Sequence, residues 1–168
     1  MGIRNWKHFT PSLLLLSAMA LANSGKEARF PNTPDSELTP GSLCATPDKH
    51  RYPEKVPYCT RNVSGESKKE IIRTYDLHRG FQIQRMNRQD FKIDHLVPLC
   101  AGGSNEVTNL WPQHKSIYQL TDPIEQPLCE LMARGRLKQE EAVQIILDVK
   151  QHPETSPEAL KKVLERLN

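Results

Sequence analysis

Apolar positions change their spacing along this chain, and each change marks an expected element. Ser12–Leu21 is largely apolar, centred on the Leu13–Leu16 run and preceded by Arg4 and Lys7. That run is about half of the ~20 residues a membrane-spanning helix needs. Ala20-Leu21-Ala22 then supplies the small-x-small pattern a signal peptidase accepts, so residues 1–22 read as a cleaved signal peptide. Residues 23–43 are proline-rich with few apolar clusters and read as an extended, partly disordered lead-in that becomes ordered near Cys44. Ser67-Lys68-Lys69-Glu70 has the form of a capping box before Ile71, Ile72 and Tyr75, which predicts a helix over 67–77. Phe91-Lys92-Ile93-Asp94 alternates as a short strand ending at His95, Gly102-Gly103-Ser104-Asn105 reads as a turn, and Val107–Leu110 reads as the returning strand. Pro112 stands where a helix can begin.

The remainder is helical in pattern. Asp122-Pro123 is a helix start and Gly135 a stop. Ala142, Ile145, Ile146 and Val149 form one apolar stripe, and after Ser156-Pro157 a second stripe runs through Leu160, Val163, Leu164 and Leu167. These stripes belong to a core. The order of elements is that of an α+β domain spanning 44–168, without internal repeats.

Charge says little by itself. Removing residues 1–22 leaves 146 of the 168 residues, with 21 basic against 20 acidic side chains. The distribution is uneven: eight basic and four acidic residues lie within 61–92, while the last 48 residues are slightly acidic. A basic segment of this kind can line a phosphate-binding groove or form a solvated helix face.

Four cysteines in an exported chain imply two disulfides, with three connectivities open. Cys44 and Cys59 flank a proline-rich stretch that needs a staple, and Cys100 with Cys129 would tie the centre of the chain to a later helix; this pairing is the expected one. No Cys-x-x-Cys pair is present, which removes zinc knuckles and a structural zinc protein generally.

The residues that carry chemistry are Ile93-Asp94-His95-Leu96-Val97-Pro98-Leu99, then Gly102-Gly103, then Asn109-Leu110-Trp111-Pro112-Gln113. Phosphodiester hydrolysis needs a group that takes a proton from water near neutral pH, which suits His95. It needs a cation against the developing charge, which a carboxylate such as Asp94 can hold. It needs an oriented imidazole, and Asn109 arrives from the return strand with an amide. Trp111 reads as a core plug rather than a base-stacking platform.

These residues resemble the HNH, or ββα-metal, endonuclease family over about residues 91–115, and are most similar to small exported bacterial members with Asp-His-Leu-x-Pro-Leu, Gly-Gly and Asn-Leu-Trp-Pro-Gln. The resemblance implies a ββα-metal core with flanking helices, His95 as general base, Asp94 as metal ligand and Asn109 as the residue orienting the base. It implies a divalent metal, Mg²⁺ before Mn²⁺ or Zn²⁺. The family's second ligand position falls on Ile117 or Tyr118, neither a good ligand, so His114 is the expected substitute, with an ordinary first-turn histidine as the alternative. Arg85, Arg88, Lys92 and Lys115 are the candidate phosphate contacts. The resulting expectation is a secreted or periplasmic endonuclease acting on DNA before RNA, with no membrane attachment after signal cleavage. The competing expectation is an exported nucleic-acid- or protein-binding module whose HNH-like site is degenerate.

Overall fold

A computed structural model describes residues 29–168. The expected signal peptide at 1–22 lies outside the described residues, as does the start of the lead-in.

The chain folds as an α+β domain stapled by two disulfides, Cys44–Cys59 and Cys100–Cys129, with Cα separations of 5.8 and 5.9 Å. The pairing is the expected one, and each closure removes enough unfolded-state entropy to contribute about 3–4 kcal/mol in the loop model. Among the described residues no helix is long and apolar enough to cross a membrane.

Two antiparallel hairpins organise the first two thirds. Strands β1 (Lys49–Arg51) and β2 (Val56–Tyr58) lie between Cys44 and Cys59, a proline-rich stretch with little strand patterning. The central hairpin pairs β3 (Phe91–His95) with β4 (Leu110–His114), with Phe91 opposite His114 and Asp94 opposite Trp111. Helix α2 (Lys115–Thr121) follows β4 directly. Helix α1 (Gly65–Arg79) precedes the hairpin, while α3 (Glu125–Ala133), α4 (Gln139–Gln151) and α5 (Ser156–Leu167) complete the chain.

Three boundaries differ from expectation for local reasons. Helix α1 begins two residues early because Ser64, not Ser67, is the N-cap: its hydroxyl accepts from the Ser67 amide at 3.0 Å. Residues 107–109 form a 3₁₀ turn, so the return strand starts at Leu110 and contains Pro112, opposite Ile93. A two-stranded ribbon has an open edge along each strand, so a proline lacking its N–H can be accommodated there. The helix expected at Pro112 therefore starts at Lys115, with His114 as its cap.

The lead-in is also more ordered than expected. Residues 29–43 are largely extended but packed: Thr39 is fully buried, its hydroxyl meeting the Tyr75 hydroxyl at 2.7 Å and donating to the Leu110 carbonyl at 2.9 Å. Asp35 holds Arg79 at 2.5 Å, and Leu43 bridges to Gly103. Ordering thus begins well before Cys44, because this segment supplies partners for polar groups the core would otherwise bury unpaired.

Two apolar clusters flank the central hairpin. Ile71, Ile72 and Tyr75 of α1 pack with Phe91, Ile93, Leu110 and Trp111, the last fully buried as a core plug. The larger cluster joins Leu128, Leu131 and Met132 of α3 to Ala142, Ile146 and Val149 of α4 and Val163 of α5. Each such large side chain contributes roughly 1.5–3 kcal/mol on burial.

Candidate functional site

Strand alternation decides what each residue of β3 meets. Phe91, Ile93 and His95 share one face, and Lys92 and Asp94 share the other. Phe91 and Ile93 pack in the α1 cluster, which leaves His95 at the end of that face, beside the segment leaving β2. Asp94 points instead toward α3 and α4, where Lys150 lies.

His95 is 4% exposed, not the open strand-end residue its position suggested. Its Nε2 lies 3.1 Å from Oδ1 of Asn105. That amide has a settled orientation: its Nδ2 donates to the Thr60 carbonyl at 2.8 Å, and its Oδ1 also accepts from the Asn62 amide at 3.2 Å. An oxygen facing the ring requires His95 to donate from Nε2, which leaves the lone pair on Nδ1. Burial lowers the imidazole pKa, the Asn105 bond offsets part of this, and the Arg61 guanidinium lowers it further. His95 is therefore neutral near pH 7, in the tautomer a base needs.

Asn109 does something else. Its Nδ2 donates to the carbonyls of Val97 and Ser104, both at 2.9 Å, and its Oδ1 accepts from the amides of Val97 at 2.9 Å and Ser42 at 3.4 Å. All four positions of the amide are used. The expected role in orienting His95 falls to Asn105, and Asn109 instead locks the loop between the strands. Gly103 makes that lock possible, since a Cβ there would sit 1.8 Å from the Val97 carbonyl oxygen. The motif's Gln113 is likewise structural, fully buried and donating to the Thr121 hydroxyl at 2.8 Å.

The Asp94 side of the strand holds a dense charge cluster. Asp94, Asp122 and Glu125 bring carboxylate oxygens within 4.8 Å of one another. Two ammonium groups stand among them. Lys150, fully buried on α4, donates to Asp94 Oδ2 at 2.8 Å and to the His95 carbonyl at 2.5 Å, and pairs with Glu125 at 2.8 Å. Lys92 meets Asp94 Oδ1 at 3.0 Å and Asp122 at 2.6 Å. Burial works against ionised Asp94, but Lys150 and Lys92 outweigh it and hold the carboxyl below its ordinary range. Burial raises Asp122 and Glu125 instead. Removing one partner from such a buried pair costs about 3–5 kcal/mol, because the other charge stays behind.

The expected metal pair of Asp94 and His114 is not brought together. His114 lies three register positions along the ribbon from Asp94, roughly 10 Å at strand rise. Its Nδ1 accepts from the Ser116 amide at 3.2 Å, and its ring stacks on Phe30 at 4.1 Å. Within the carboxylate cluster both Asp94 oxygens already take an ammonium, while Asp122 Oδ1 and Glu125 Oε1 are buried without a hydrogen-bond partner.

A cleft of about 280 Å³ opens beside His95, lined by Arg51, Tyr58, Arg61, Asp94, His95, Pro98, Leu99, Cys100 and Glu125. Arg51 lies 3.3 Å above the Tyr58 ring, and Arg61 donates to the Ile93 carbonyl at 3.2 Å. None of the expected phosphate contacts lines this cleft: Arg85 and Arg88 are exposed before the far end of β3, Lys115 pairs with Asp90, and Lys92 is committed to the carboxylates. Sequence reasoning missed Arg51 altogether and counted Arg61 only among the basic stretch. Lys150 was legible in principle, because it completes the apolar face of Ala142, Ile146 and Val149 with a lysine. Comparisons of the chain with protein-family models, with curated proteins and with solved structures find no match.

Proposed function

We propose that this protein is an exported endonuclease with an HNH-like core, hydrolysing phosphodiester bonds of DNA, or alternatively RNA, with His95 as general base. The observation that carries the reading is the neutral His95 imidazole, held through Nε2 by Asn105, in a cleft that also presents Arg51 and Arg61. A neutral imidazole base beside two guanidinium groups suits an anionic phosphodiester. In the proposed reaction Nδ1 takes a proton from water as its oxygen attacks phosphorus. The bond to the leaving oxygen breaks, solvent supplies that oxygen's proton, and His95 returns its own to solvent. Arg51 and Arg61 offset the charge that builds on the phosphoryl oxygens. The two disulfides suit an oxidising compartment outside the cytoplasm.

A second reading, a non-catalytic exported binding module, is favoured by the ammonium groups that occupy both oxygens of Asp94. Incubating purified oxidised protein with plasmid DNA and with RNA separates the two. Cleavage lost in His95→Ala supports the hydrolase; retention of nucleic acid without cleavage supports the binding module.

A further inference from the structure

The position expected to hold a metal already holds a cation belonging to the chain. Lys150 is fully buried; its ammonium donates to Asp94 Oδ2 at 2.8 Å and to the His95 carbonyl at 2.5 Å, and forms an ion pair with Glu125 Oε1 at 2.8 Å. Its stem is packed by α4, whose Ile146 and Val149 enter the core one turn below and one residue before it. The second ammonium, Lys92, covers Asp94 Oδ1 and reaches Asp122. Counted as ionised, three carboxylates face two ammonium groups, so the cluster is within one charge of balance. A dication added here would turn the cluster net positive, beside a Lys150 ammonium that is fully buried on α4. Mg²⁺ also demands oxygen donors at about 2.0–2.1 Å in near-octahedral order, whereas the Asp94 oxygens already point at nitrogen.

We propose that the Lys150 ammonium is this protein's resident cation at Asp94, standing where a divalent metal would have to bind, and that the His95 cleft works without a bound metal ion. The catalytic half of this inference rests on the hydrolase reading above; the cation half does not. Lys150 never meets substrate. It is a positioning residue that ties Asp94 and the His95 main chain to α4.

The test uses the oxidised chain, stripped with EDTA and titrated with Mn²⁺ by calorimetry. No saturable binding below the millimolar range is expected, and cleavage in EDTA should stay within about twofold of that in Mg²⁺. One Mn²⁺ per chain at about micromolar affinity, lost in Asp94→Asn, would overturn the assignment. So would cleavage abolished by EDTA and restored by Mg²⁺, which leaves the hydrolase reading standing. Lys150→Met removes the charge and keeps the stem. If folded, it should acquire Mn²⁺ binding and an Mn²⁺-dependent rise in Tm; a folded variant that gains neither counts against a cation site at Lys150. Should Lys150→Met not fold, the wild-type titration decides. Absence of cleavage in every condition sinks the hydrolase reading, and the titration still decides the cation.

Discussion

The Nε2 nitrogen of His95 and the Oδ1 oxygen of Asn105 lie 3.1 Å apart, and that one contact sets which imidazole nitrogen can accept a proton. Asn105→Leu should therefore lower kcat about tenfold or more by freeing the ring, and should also raise KM, since it releases the Thr60 and Asn62 main chain on either side of Arg61. Asn105→Asp places a carboxylate on Nε2, which favours the imidazolium, so the acid limb of the rate profile should move to higher pH. An unchanged profile in Asn105→Asp would remove Asn105 from the mechanism.

The His95 shift has a sign that stability can report. Its folded pKa lies below the ordinary 6.5, because burial disfavours the charged ring. The folded state therefore binds fewer protons than the unfolded one once pH drops toward 6.5, and stability is lost as pH falls from there toward the folded value. His95→Gln should flatten that part of the stability curve while reducing cleavage by about 10²–10⁴-fold. Cleavage within threefold of wild type would end the general-base assignment.

Arg51→Ala and Arg61→Ala should each slow cleavage by roughly one to two orders of magnitude, as loss of a charge-assisted phosphate contact does. Arg85→Ala and Arg88→Ala should stay within about twofold, because those side chains lie outside the cleft. Equal effects across the four would mean the substrate runs along the far end of β3 instead.

Asn109→Ala should act on folding rather than chemistry. It strips partners from the Val97 main chain and the Ser104 carbonyl, all buried, at about 1–3 kcal/mol for each group left unpaired. Urea unfolding would show the loss as a lower midpoint; a stable but inactive variant would return Asn109 to the catalytic set.

His114→Ala should cost only the N-cap of α2 and the stack on Phe30, about 0.5–2 kcal/mol, and leave cleavage unchanged. A large activity loss in folded protein would restore it as a site residue.

What the sequence made legible follows from how far each signal reaches. Strand β3, the Gly-Gly turn, the apolar stripes of α4 and α5, and both disulfides rest on local periodicity or cysteine arithmetic, and all are present except that Leu164, expected in the α5 stripe, is exposed. His95 was singled out by the ordered set of Asp94-His95, Gly102-Gly103 and Asn109–Gln113, not by its own position. Asn105 was read only as a turn residue, since its partner lies ten positions back and its own orientation depends on Thr60 and Asn62. Arg51 and Arg61 reach the cleft only because β1 and β2 fold against the loop after β3, a contact no window along the chain contains. Asn109 and His114 sit differently from expectation for the converse reason: their chemistry suited the site, but all four amide positions of Asn109 and the Nδ1 of His114 are taken by local partners.

The contact from Lys150 to the His95 carbonyl also sets an order in time. It spans 55 positions, so β3 can form its hairpin long before the chain that carries Lys150 has been made. Closure across such a separation comes late, after local helices and hairpins. A nascent or C-terminally clipped chain that stops before α4 would carry the Asp94–His95 motif intact, yet with Asp94 facing Lys92 alone where the finished protein adds the buried Lys150. Possession of the motif and possession of an assembled site are thus separate events in the life of this chain, divided by the emergence of a single lysine.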